Sequence, residues 1–247
     1  MTRTRILPLV AAALTALFCL AALAAPSGAA ASQAAKAPAK PKVGQCRNLT
    51  NAQSAALSDN SPTVPCSSPH TTYTFAVANA PKSVNMKHIS SAKLGTVGLS
   101  VCLPRFHKTL GAPWTVGDQT LYQFTYFNPT KAQRNHGARW FRCDLVFVDS
   151  GHLDALPITH RPFIPSPMPD SIRRCITSAN RYTPCVEGHA YRPFAAFTFK
   201  AKKYPKRAVF VKEGAAHCPS ATNYSWAPKV LWNAGDHAEI CYRSTTS

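Results

Sequence analysis

The 247-residue chain carries 28 Lys and Arg against 10 Asp and Glu, a formal net charge of +18, and is 45% apolar and 15% charged. That apolar fraction excludes a disordered polyelectrolyte, and the length allows one or two domains. Nine cysteines point to covalent cross-linking in an oxidising compartment.

Arg3 and Arg5 precede an apolar run from Ile6 to about Leu23, and small-residue sites follow at Ala22-Leu23-Ala24 and around Ala29 to Ala31. This layout predicts a secretory signal peptide over residues 1–31. The rival reading is a retained membrane anchor, because the run approaches the ~20 residues that span a bilayer. Pro8 and the Ala-x-Ala sites favour cleavage. Residues 32–42 are dominated by Ala, Pro and Lys with no aromatic side chain, a composition that predicts a disordered tether. Cleavage removes Cys19 and leaves eight cysteines, an even number that fits four disulfides.

From residue 43 the chain presents Cys46, then Pro65-Cys66-Ser67-Ser68-Pro69-His70, then Tyr73, Phe75 and Val77 in strand-like alternation. Residues 91–110 surround Cys102 and are ambiguous because of Gly95, Gly98 and Pro104. Residues 121–127 and 140–148 read as strands on aromatic and β-branched content, with Gly137 six positions before Cys143. Prolines at 157, 162, 165, 167 and 169 predict a stiff extended linker over 156–170. Beyond it come Cys175, then Pro184-Cys185-Val186-Glu187-Gly188-His189, then a strand with Phe194, Phe197 and Phe199. Residues 200–207 read as a basic loop between two strands and 215–224, around Cys218, as a short helix. Gly235 again lies six positions before Cys241.

The marks recur in one order, so one unit is used twice. The expected fold is α+β: two tandem small disulfide-stapled domains dominated by antiparallel strands, each with a short helix, over 43–155 and 171–247.

These marks resemble the septum-formation family of actinobacterial exported proteins, whose domain carries an early Gly-x-Cys, a Cys-x-x-Pro-His, a mid-domain Cys and a closing aromatic-Gly-Cys stretch. Gly44-Gln45-Cys46, Cys66-Ser67-Ser68-Pro69-His70, Cys102 and 137–143 match in the first copy. Cys185 to His189, Cys218 and Trp232 to Cys241 match in the second. The second copy has Gly188 where the pattern has Pro, and the first lacks a Trp just before Gly137. The resemblance implies an envelope protein connected with cell division; it brings no catalytic residue and no ligand.

Within each half four cysteines allow three pairings. Sequential pairing is preferred: Cys46 with Cys66, Cys102 with Cys143, Cys175 with Cys185 and Cys218 with Cys241. Zinc is the competing reading of the twice-occurring Cys-x-x-x-His, but a closed site needs four ligands, and an oxidising compartment favours disulfides. His70 and His189 are candidate binding residues. The plainer reading has each imidazole satisfying backbone groups beside a disulfide.

The ten acids show no equivalent placement in the two halves, and no nucleophile elbow, metalloprotease motif or phosphate-cradling loop is present. No Cys-x-x-Cys supplies a redox dithiol. The expectation is a non-enzymatic protein with no cofactor and no metal. Cleavage of the signal peptide leaves 26 basic against 10 acidic residues, and such a field attracts polyanions. Lys200, Lys202, Lys203, Lys206 and Arg207 form the densest basic cluster. The partners this suggests are an anionic cell-wall polymer or a membrane surface; export separates the protein from the genome and disfavours nucleic acid. The reading is therefore a secreted cell-envelope structural or binding module. The alternative is an extracellular metal-handling protein or enzyme built on His70 and His189.

Overall fold

The computed structural model describes residues 39–156, 163–201 and 203–245. The expected signal peptide, most of the tether, residues 157–162 of the linker and Lys202 lie outside them.

The first half runs β1 (Cys46–Arg47), α1 (Asn51–Ser54), β2 (Thr72–Asn79), α2 (Ser91–Leu110), α3 (Trp114–Gly117), β3 (Tyr122–Phe127), α4 (Lys131–Asn135), β4 (Trp140–Asp149) and β5 (His152–Asp154). The second runs β6 (Arg174–Ile176), β7 (Tyr182–Pro184), β8 (Tyr191–Thr198), α5 (Arg207–His217), β9 (Asn223–Trp226), α6 (Lys229–Trp232) and β10 (Ala238–Ser244). Each half contributes a five-stranded sheet, ordered β1-β2-β4-β3 with β5 added on β4, and β7-β6-β8-β10-β9. The strand pairs within the sheets are antiparallel. Apart from β5 and β7, the two sheets follow one path, with a helix before the strand at one edge and a cysteine within that helix (Cys102) or at its C-cap (Cys218).

Helix α2 spans the segment that was ambiguous in sequence and is long, at 20 residues. The Ser90 side chain caps it by accepting from the Lys93 N–H, and Gly111 ends it in the left-handed conformation at φ 71°. Leu94, Val97, Val101, Phe106 and Leu110 belong to its buried stripe, which winds around the helix: the first three share one face, and the last two lie more than about 90° round from Leu94 at about 100° per residue. Pro104 removes one backbone hydrogen bond, yet burial of this stripe against β2, β3 and β4 holds the helix together. Phe141, Cys143, Leu145 and Phe147 of β4 share that core.

The opposite face of β4 is buried too, by charge. Arg142 meets Asp59 at 2.7 Å and Asp144 at 2.9 Å, and the Thr74 hydroxyl donates to Asp144 at 2.7 Å.

The disulfides join Cys46 to Cys66, Cys102 to Cys143, Cys175 to Cys185 and Cys218 to Cys241, with Cα separations of 5.3, 5.6, 5.0 and 6.2 Å. Sequential pairing is thus the pattern formed. In each half one bond ties the first strand to the Pro-Cys segment, and the other ties helix to strand.

Three local expectations are corrected. The second helix covers Arg207–His217 rather than 215–224, and Asn223–Trp226 is strand because its backbone pairs with β10. The basic segment therefore joins a strand to a helix, not two strands. The described end of the linker is packed rather than extended in solvent: Phe163 and Ile164 are buried in the first core, together with Ile172.

Hydrogen bonds also cross between the halves, from Leu121 N–H to the Ile172 carbonyl at 2.9 Å and from Arg174 N–H to the Gln119 carbonyl at 2.7 Å. The described residues all belong to one compact unit. Among the described residues no helix is long and apolar enough to cross a membrane.

Candidate functional site

A cleft of about 300 Å³ lies where the halves meet. From the first half come the Leu99, Leu103 and His107 face of α2, Asp118 after α3, and Tyr122 and Phe124 of β3. The second half adds Arg174, Tyr182, Trp226, Leu231, Asp236 and Ile240. The walls are mostly apolar, with charged and imidazole groups among them, as in pockets that bind small ligands.

His107 sits near the end of α2, only 4% exposed. Its ring stacks on Trp114 with centroids 3.9 Å apart and planes 8° from parallel, and Phe106 meets it edge-on. Among the described residues neither ring nitrogen has a hydrogen-bond partner. Burial holds its pKa down at about 4, so the imidazole is neutral at physiological pH.

Asp118 caps the C-terminus of the single-turn helix α3, and Asp236 follows Gly235, whose φ of 108° turns the chain into β10. The Asp236 Oδ1 accepts from the Ala238 N–H at 3.2 Å. Ligand atoms of His107, Asp118 and Asp236 all lie within 4.8 Å of one another. Burial, and then the Asp236 charge, push the Asp118 carboxyl up to about 8, against the pull of Arg174. Asp236 is raised as well, chiefly by burial.

The Arg174 guanidinium lies 4.6 Å from the centre of the Tyr182 ring. Burial opposes its charge, but Tyr242, Tyr182 and Asp118 together outweigh that and hold its pKa above the usual range. The Tyr182 hydroxyl is 2.7 Å from that of Ser225.

The residues singled out in sequence lie elsewhere. His70 is buried with Nδ1 2.7 Å from the Ser68 carbonyl oxygen, and His189 is partly exposed with Nδ1 2.7 Å from the Glu187 carbonyl oxygen. The two imidazoles thus make the same contact, each to the carbonyl two residues back, and neither lines the cleft. Lys200, Lys203, Lys206 and Arg207 are exposed. The Arg207 guanidinium stands 5.6 Å over the Trp226 ring, which in turn lines the cleft, so the basic segment reaches its rim.

A sequence signal for the cluster exists. Trp114-Thr115-Val116-Gly117-Asp118 and Trp232-Asn233-Ala234-Gly235-Asp236 are the same Trp-x-x-Gly-Asp, each preceded by an Ala-Pro, at 112–113 and 227–228. The first follows the long helix and the second precedes the last strand. They hold different places in the two halves, and an alignment on cysteines hides them.

A family model described as septum formation matches residues 43–244. No curated protein and no solved structure matches the chain.

Proposed function

This chain belongs to the septum-formation family, and we propose on that footing that it is a secreted, non-enzymatic module of the cell envelope that binds an anionic wall or membrane component. Export is supported by the four disulfides, which fit an oxidising compartment. We further propose that the chain is two tandem copies of one unit. The shared strand path, the equivalent disulfides and the matching contacts of His70 and His189 support this reading. The non-enzymatic reading draws on the pairing of every described cysteine, which leaves no thiolate nucleophile among them.

The observation that carries the binding role is the rim of the cleft. Lys203, Lys206 and Arg207 stand exposed at the start of α5, and Arg207 covers a wall residue of the cleft, Trp226. A polyanion drawn along this segment would pass the cleft mouth, where aromatic surface is available for a second contact.

The test is cosedimentation of the purified protein with isolated cell walls, before and after extraction of their anionic polymers, and with vesicles of anionic or zwitterionic lipid. Capture by anionic material that weakens with added salt is expected, as is its loss in the Lys203→Gln, Lys206→Gln, Arg207→Gln variant. Capture that persists undiminished at high salt overturns the electrostatic reading; which anionic material retains the protein separates wall from membrane.

A further inference from the structure

We infer that His107, Asp118 and Asp236 form a binding site for one divalent transition-metal ion of the zinc class, held by three side chains with its remaining position open to the cleft. The inference deepens the reading of the cleft as a binding site and rests on it for access to the ion.

Three observations converge. The donor atoms come from three separate elements, α2, the end of α3 and the turn into β10, yet lie within 4.8 Å of one another. Folding therefore builds the constellation, not local sequence. His107 is buried and stacked against Trp114, with both ring nitrogens unpartnered. A buried imidazole normally finds a partner for at least one nitrogen, and His107 presents both without one beside two carboxylates. The Asp118 and Asp236 carboxyls face each other closely enough to share a hydrogen bond, whose proton a bound cation would displace.

The donor chemistry suits the ion. One neutral imidazole and two carboxylates are borderline-to-hard ligands, which favour zinc and its neighbours in the first transition row over soft copper(I). Three protein ligands with one free position is the arrangement of open zinc sites, whereas structural zinc is closed by four.

Charge points to what fills the free position. With both acids ionised, Asp118, Asp236 and the nearby Arg174 sum to one negative charge. A divalent ion brings this to one positive, and a single anionic ligand restores neutrality in a site shielded from water. The cleft would thus present an ion-bound anionic group, a carboxylate or phosphate, to an apolar wall.

Support around the ligands is present. The stack on Trp114 sets the plane of the imidazole, and Asp236 is oriented by the Ala238 N–H. Outer contacts of this kind are what hold metal ligands in place. Gly117 packs closely at this point, since a Cβ there would lie 3.1 Å from Cδ1 of Leu110 and 3.7 Å from Nδ1 of His107.

The experiment uses the purified, oxidised protein, freed of metal by chelator and dialysed. Zinc is titrated calorimetrically and cobalt by its visible absorption, which reports coordination geometry. Binding of one ion per chain is expected, weakened at least about tenfold by Asp236→Asn and by His107→Ala. The His70→Ala, His189→Ala variant should bind as the parent does. His107→Ala removes a buried ring and can unfold; Asp236→Asn keeps size and shape, so the test stands on it. Absence of saturable binding overturns the inference, as does binding that Asp236→Asn leaves unchanged. Envelope capture without metal binding would defeat this inference and leave the polyanion reading standing, while metal binding without capture would do the reverse.

Discussion

Gly98 lies against the ring of Tyr126 so closely that a Cβ at that position would fall 2.3 Å from Cδ2. The other half repeats the contact, where a Cβ on Gly214 would lie 2.6 Å from Cδ1 of Tyr224. Each glycine stands four residues before the helix cysteine, Cys102 or Cys218, and each tyrosine pairs across the sheet with the strand cysteine, Cys143 or Cys241. Close approach of helix to sheet and the disulfide that pins it are one local arrangement, built twice.

Gly98→Ala is therefore expected to destabilise the protein by roughly 1–3 kcal/mol or more, the range for overpacking a filled site. Gly95 supplies the control, because a Cβ there meets only the Tyr126 hydroxyl at an ordinary 3.5 Å. Gly95→Ala should be neutral or gain up to ~1 kcal/mol from helix propensity. Denaturant unfolding of the two variants measures the difference. Equal effects would mean that the helix shifts freely off the sheet.

The disulfides should rank by the loops they close. Cys102 and Cys143 are 41 residues apart, and Cys175 and Cys185 are 10 apart. In the chain-entropy picture the first bond contributes about 4 kcal/mol and the second about 3 kcal/mol. Replacing each pair with alanine should lower stability in that order. The loss of Cys102 and Cys143 should be the larger also because both are fully buried in the first core. Thermal unfolding of the two double variants decides it; the reverse order would place the main constraint at the Pro-Cys segment.

Strands β3 and β4 were readable in sequence because aromatic and β-branched residues there need a pleated, half-buried surface. The cysteine order likewise carried the pairing, since each half closes its own bonds. Helix α2 was obscured by Gly95, Gly98 and Pro104, which lower helix propensity; of these Gly98 is required by packing, because it admits the Tyr126 ring. In the second half, Tyr224 sits past the helix because its backbone pairs with Cys241, a long-range bond that no local pattern announces. The cluster in the cleft was hidden for a related reason. Asp118 and Asp236 lie far apart in the chain and meet only once the two sheets dock. Their shared Trp-x-x-Gly-Asp was legible, but it falls out of step with the cysteine repeat. His107 lies in the segment whose secondary structure the sequence left ambiguous.

Glu239 sets the final expectation, a dependence of stability on pH. It alternates along β10 with Ala238 and Ile240 and points to the helix side, where its Oε1 would lie 2.5 Å from a Cβ on Gly214. The residue is fully buried, neither carboxyl oxygen has a hydrogen-bond partner, and burial followed by the Glu213 charge pushes its pKa up to about 7 from 4.5. Between those values the folded protein holds a proton that the unfolded chain has released. Stability from this group is thus greatest below pH 4.5, falls as pH rises towards 7, and stays lower above it. A shift of this size corresponds to ~3–4 kcal/mol. Glu239→Gln keeps the shape and removes the ionisation, so the variant should gain on the parent by about that amount at pH 8 and match it closely at pH 4. Asp59 and Asp170, whose pKa values are lowered, add a slope of opposite sign at lower pH, and it cancels in the difference between parent and variant. Urea unfolding of both proteins across pH 4 to 8 measures that difference directly. A constant gap across the range would show that Glu239 titrates alike in the folded and the unfolded chain.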